Sequence, residues 1–269
     1  MRQAVPGTEP LGRSRWLALG ALALLIVTTQ VLWLTFAAIS EQSEAHFGVS
    51  EGAVGDLAVI NPIMFVLLAI PTGRWLDRSY AQALTAGALF TAVGASLRLV
   101  EPDSYAWVFF GQAVMSVGQP LVLNATTKVA GRYFPPQQQT TAIAVASGAQ
   151  FVGILTAVLT SAWLVERGGF ELLLGAHAAL AVVAALAVLG SLRLPHHDTD
   201  SGDRAPLGWV RHDPLIWKLA AMLFVGFGAY NALATWLDAI MNDFGHPTVA
   251  GGTIAVMTIA GVVGAAVLP

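Results

Sequence analysis

Apolar positions in this chain do not alternate with polar ones. They fall into long runs separated by short polar breaks. The runs predict helices at about Trp16–Ser40, Gly52–Gly73, Tyr80–Leu97, Tyr105–Thr127, Thr140–Val165 and Phe170–Leu192. After a polar stretch from Arg193 to Asp213, a seventh helix is predicted at about Pro214–Met241 and an eighth from near Thr248. Each run is close to the ~20 residues a helix needs to cross a bilayer core. The first run has no charged residue and exceeds the about 7–15 apolar residues of a cleaved signal peptide, so it reads as a helix that stays. The fold class that follows is all-α, a multi-pass transmembrane helical bundle. Its expected organisation is a cytoplasmic tail at 1–15, a six-helix bundle at 16–192, a cytoplasmic linker at 193–213 and the first helices of a second bundle at 214–269. The eighth run closes the sequence at Pro269, so a C-terminally truncated fragment lacking most of the second bundle is expected.

Composition agrees with this reading. The chain is 56% hydrophobic and 11% charged, against about 45–50% and 25% in soluble domains. The net charge of -3 gives no basic face for nucleic acid. With no cysteine there is no disulfide, thiolate metal site or thiol lipid anchor. No cofactor is expected. Placing the N-terminus in the cytoplasm puts all but Arg98 and Arg167 of the 13 basic residues on the inner side. This is the positive-inside pattern of a cell-membrane protein. The linker carries His196, His197, Asp198 and Asp200, which read either as a solvated flexible segment or as metal ligands.

Polar groups inside the runs are the candidates for chemistry, because hydrocarbon penalises them unless they meet a partner or a wet cavity. Gln30, Gln112, Gln119, Asn124 and Gln150 are amides that can line a cavity. Asp56, one turn into the second helix, either binds a proton or cation or sits in interfacial water. Asn61-Pro62 in the same helix frees a carbonyl and bends it. His177 reads as a satisfied structural histidine ahead of a proton relay, and Asp238 as either a cation attractor or a solvated helix end. Gly111, Gly118, Gly148 and Gly153 let helices close in. No nucleophile–base pair or phosphate loop is evident, so no enzyme is expected; a membrane-embedded sensor or enzyme is the reading from another class.

Six helices, a long inner connection and further helices are the layout of the major facilitator superfamily, which the chain resembles. Gly73-Arg74-Trp75-Leu76-Asp77-Arg78, between the second and third helices, resembles that superfamily's loop signature, a Gly followed four residues later by Asp-Arg. The resemblance implies an inner gate at Gly73, Arg74, Asp77 and Arg78; Ser79-Tyr80 departs from the usual continuation. Three more features narrow the family: Trp33 in helix 1, Ser116-Val117-Gly118-Gln119 in helix 4, and Tyr133-Phe134-Pro135 before a helix 5 carrying Gln150. Together they resemble the feline leukaemia virus subgroup C receptor-related (FLVCR) branch. That branch implies choline and ethanolamine as substrates, with haem export also proposed for it. It carries substrate contact onto Trp33 and Gln150, and loosely onto Tyr230 or Asn231 in helix 7. The implied function is alternating-access transport of a small organic cation within a lipid bilayer. A haem, drug or other metabolite exporter of the same fold is the alternative. Quaternary ammonium ions suit such a site, since each aromatic face contributes about 0.5–2 kcal/mol.

Overall fold

The computed structural model describes residues 12–195, 212–245 and 252–261 apart from 255 and 258, and the described residues hold helices and no strand. The helices are α1 (Ser14–Trp33), α2 (Ser40–Phe47), α3 (Glu51–Arg78), α4 (Tyr80–Leu97), α5 (Tyr105–Tyr133), α6 (Pro136–Ser191) and α7 (Pro214–Asp243), followed by a shorter apolar helix, Gly252–Gly261. Among them α1, α3, α5 and α6 are long and apolar enough to cross a membrane. In α6, Gly168 and Gly169 leave helical geometry, Gly169 at φ 67°, and bend it into two arms, 136–167 and 170–191. That left-handed φ is open to glycine without a Cβ penalty. The arms match the expected fifth and sixth helices.

Side-chain contacts fix the up-and-down order. At one end the Arg15 guanidinium lies 5.9 Å from the Phe134 ring, Arg132 lies 4.9 Å from Tyr80, and Lys128 Nζ is 2.7 Å from Asp77 Oδ1. At the opposite end His46 Nε2 is 3.1 Å from Asp103 Oδ1, its ring stacks on Phe170 at 3.9 Å, and the Tyr105 hydroxyl donates to the Ala53 carbonyl at 2.8 Å. The starts of α1 and α4 therefore share an end with the finishes of α3 and α5.

Between these ends, Leu22 and Ile26 of α1, Leu84 and Ala88 of α4, Leu121 and Ala125 of α5, and Ala146 and Val188 of α6 belong to one buried cluster. In lipid such contacts gain by close packing rather than by escape from water, which favours small residues at helix crossings. The pair α4 and α5 meets through glycines spaced two turns apart. A Cβ on Gly111 would lie 2.7 Å from the Gly94 carbonyl oxygen, and one on Gly118 would lie 2.7 Å from that of Gly87. Gly153 meets the α1 main chain at Val27. Gly148 does not share this role, because a Cβ there would meet open space. Nor is Gly73 at a tight crossing, since its nearest neighbour would be Asn124 Nδ2 at 3.9 Å, an ordinary contact.

Three helix ends differ from expectation. The first helix stops at Trp33 rather than Ser40, and turns occupy 34–38. Thr35 Oγ1 donates back to the carbonyls of Val31 and Leu32 at 3.0 Å each, competing with the next helical turn. The second expected helix does not end at Gly73. It continues to Arg78, and Ser79 N–H still bonds the Trp75 carbonyl, so the Gly-to-Arg signature is helical rather than a loop. The fourth runs past Thr127 to Tyr133 and ends where Phe134 is held extended (φ −117°, ψ 141°) by the proline that follows. The tail at 1–11, most of the linker with His196, His197, Asp198 and Asp200, and the expected eighth-helix start at Thr248 lie outside the described residues.

Candidate functional site

Pro62 lacks an N–H, so the carbonyl four residues earlier, Ala58, loses its helical donor. The Trp33 indole supplies the replacement: Nε1–H donates to the Ala58 oxygen at 2.8 Å. Trp33 is therefore buried, 5% exposed, and tied to α3 by its polar edge. Its ring packs with Leu34, Ala37, Ala58, Ile154 and Ala157, and Tyr230 of α7 packs against that cluster. Tyr230 also meets the Phe151 ring edge-on at 6.3 Å. Further toward the His46 end, the Trp236 ring covers Gly55, and Leu237 and Ile254 pack with Val158. A seam of aromatic and aliphatic contacts thus joins α1, α3 and the first arm of α6 to α7 and Gly252–Gly261.

The expected amides fall in different places. Gln150 lies one turn before Ile154 on the same face of α6. It is half-buried and has no hydrogen-bond partner among the described residues. Gln30 is buried against Gly153, with Nε2 3.4 Å from Thr29 Oγ1. Gln119 is buried in α5. Asn124 Nδ2 donates to the Ala69 carbonyl at 3.1 Å and to Thr72 Oγ1 at 3.3 Å, clamping α5 to α3 beside Pro71. Trp33, Tyr230 and Gln150 share the seam; Asn124 is committed to α3. Asp56 is exposed near the start of α3. The side chains of Asn231 and Asp238 lie outside the described residues.

Gln112 and Arg98 differ most from expectation. Gln112 does not line a cavity: it is fully buried, and Nε2 faces the carbonyls of Leu57 at 2.9 Å, Leu32 at 3.3 Å and Trp33 at 3.4 Å. Arg98, counted among the outer basic residues, sits in the turn that follows α4 with its side chain turned into the bundle. It is 0% exposed, and Nη1 donates to Gln112 Oε1 at 2.9 Å and to the Leu32 carbonyl at 3.4 Å. Its counter-charge is the negative end of the α1 dipole, where the last carbonyls of a helix lack partners. Thr35 Oγ1 lies 3.1 Å from His177 Nδ1, so His177 is part of the same buried group, while its Nε2 has no partner among the described residues. The signal for Arg98 was available: it ends an apolar helix four residues after Gly94, a crossing glycine. Phe151 and Trp236, also missed, carry no local mark.

At the other end Asp77 pairs with Lys128 of α5, while Arg74 and Arg78 are exposed. Both partners of the pair are well solvated, at 37% and 63%. Asp77→Asn is therefore expected to change stability by less than about 1 kcal/mol, read as an almost unmoved melting midpoint in detergent.

The sequence matches the family model described as Major Facilitator Superfamily over residues 11–269. The chain belongs to that superfamily. It is thereby a multi-pass membrane protein. "Solute carrier family 49 member A3" of Danio rerio is 31% identical over 95% of this chain and 58% of its own length. "Choline/ethanolamine transporter FLVCR1" of Felis catus is 27% identical over 54% of this chain and 28% of its own length. The FLVCR-like resemblance read from helices 1 to 5 is matched by these relatives. The chain spans a little over half the length of the first of them. Among solved structures, a bacterial homolog of the human lysosomal transporter Spinster shares the fold, with TM-score 0.73, 17% identity, 94% of this chain and 61% of that chain.

Proposed function

We propose that the whole protein carries a small organic cation of the choline or ethanolamine type across the cell membrane by alternating access, with its N-terminus in the cytoplasm and no covalent chemistry. The observation that carries this reading is the aromatic seam: Trp33 and Tyr230 belong to one packed group where α1 and α6 meet α7, beside the Gln150 amide, which has no hydrogen-bond partner among the described residues. Aromatic faces hold a quaternary ammonium ion, and an amide hydrogen-bonds a hydroxyl or amine at its far end. A midplane site between two bundles is where carriers of this kind bind. The relatives named as choline/ethanolamine transporters support the same class of substrate.

In this reading Trp33, Gln150 and Tyr230 touch the solute, with Gln30, Gln119 and Asn124 as the polar packing behind them. Asp56 draws cations to one mouth by its charge. Gly73, Arg74, Asp77 and Arg78 form the gate at the other: Asp77 is held by Lys128, and the exposed Arg74 and Arg78 are free to meet acids of the second bundle.

The test is uptake of radiolabelled choline by proteoliposomes containing the whole protein. Saturable uptake is expected, reduced at least about tenfold by Trp33→Ala, which removes an aromatic face and strands the Ala58 carbonyl. Efflux of haem or another amphiphile with no choline flux would overturn the proposal.

A further inference from the structure

Gln112 bonds the carbonyls on both sides of one junction. Its Nε2 faces Leu32 and Trp33, the last two residues of α1, and Leu57 of α3. The Trp33 indole then bonds Ala58, the residue after Leu57. Trp33 is thus held at both ends, its main-chain oxygen by Gln112 and its indole N–H by the α3 carbonyl next to the one Gln112 holds. Arg98 completes the frame by anchoring Gln112 Oε1 and taking a share of the Leu32 carbonyl. We propose that Gln112 and Arg98 are positioning residues that lock the broken end of α1 to α3 and thereby set the Trp33 ring toward the solute side of the seam.

Several features point the same way. A helix end buried in a bundle leaves its final carbonyls without donors, and hydrocarbon supplies none. Irregular backbone such as 34–38 persists at such depth only if side chains satisfy it. Gln112 and Arg98 are fully buried, and Gln112 spends all its polar atoms on this junction. A Cβ on Gly111 would lie 2.6 Å from Arg98 Cγ, so a larger residue there would displace the arginine. Gln112 meets the seam residue Trp33 at its main-chain oxygen. The influence of Gln112 and Arg98 on a solute passes through α1, which distinguishes them from Trp33 and Tyr230.

The inference rests on the substrate site proposed above, and its test has one arm that does not. The sequence contains no cysteine. Ala38→Cys in the whole protein, with any cysteine outside residues 1–269 replaced by serine, therefore gives a single thiol, half-buried at the end of the 34–38 turns and packed on the Val158–Leu237–Ile254 cluster. In this parent, Gln112→Met keeps the volume and removes every hydrogen bond of the amide. Maleimide labelling of the introduced thiol is expected to quicken about tenfold as the turns loosen. The KM for choline is expected to rise about tenfold with Vmax held within about twofold, the signature of a displaced binding group. Arg98→Lys, which keeps the charge and one donor, is expected to stay near the parent in both readouts.

Should Gln112→Met fail to fold, Gln112→Glu decides. It neutralises Arg98 with an ion pair but loses the amide donors, so it is expected to fold and still to label fast. Parental labelling in the folded Gln112 variants would overturn the inference, as would a loss of Vmax at unchanged KM. If the parent transports no choline, the substrate proposal fails alone and labelling still decides this one.

Discussion

Gly94→Val is expected to leave little folded protein. A Cβ at position 94 would overlap the main-chain nitrogen of Met115 and lie 2.6 Å from the Gly111 carbonyl oxygen and 2.7 Å from Met115 Cβ. Two of those three neighbours are backbone, which cannot rotate aside, so the only relief is separation of α4 from α5. That crossing is shared by Gly87, Gly111 and Gly118, and opening it removes contacts along its whole length. Overpacking in a well-filled core costs about 1–3 kcal/mol where side chains can shift, and more is expected where they cannot. Gly148→Val is the control, because a Cβ there would meet nothing within 4 Å. The measurement is the yield and melting midpoint of monodisperse protein in detergent. Gly148→Val should match the parent, and equal behaviour of the two valine variants would contradict the packing described.

The second large effect is a coupling. Trp33→Phe keeps an aromatic ring but deletes the indole donor, stranding the Ala58 carbonyl that Pro62 has already deprived of its helical partner. A buried acceptor without a donor costs about 1–3 kcal/mol. Pro62→Ala restores a backbone N–H one turn away. In the Trp33→Phe background it should therefore recover about 1 kcal/mol or more, whereas in the parent, where Ala58 is already satisfied, it should change little. The smaller phenyl ring leaves a packing loss that is the same with either residue at 62, so a double-mutant cycle on the melting midpoint isolates the hydrogen bond. Additive effects would mean that the indole does not serve this carbonyl.

The sequence displayed the helices well because the bilayer sets their length. Runs bounded by Ser79, Arg98 and Ser104 became helices, and α4 occupies the expected Tyr80–Leu97. It displayed helix ends poorly where termination depends on distant partners. The one local competitor at the end of α1 is the Thr35 hydroxyl, which a sequence reading does not single out; what satisfies the broken end is a pair of distant side chains, Arg98 after α4 and Gln112 of α5. Arg98 was counted by charge as one of two basic residues on the outer side, and counting says nothing of burial; only the fold shows its side chain turned inward and fully buried. Gln112 carried the right general signal, an amide too costly to leave bare in hydrocarbon. The same signal fits a cavity lining and a structural bond equally well. Trp33 and Tyr230 were legible as aromatic candidates through family resemblance, but their junction with Ile154 exists only once α6 lies against α1.

The borrowed donor at Ala58 has a consequence for movement. A helix that depends on a neighbour for its own backbone bond is welded to it. Any displacement that parts α1 from α3 would bare a carbonyl in an oily medium. In the proposed alternating-access cycle the two would travel as one rigid strut, leaving the two-glycine elbow in α6 to supply compliance.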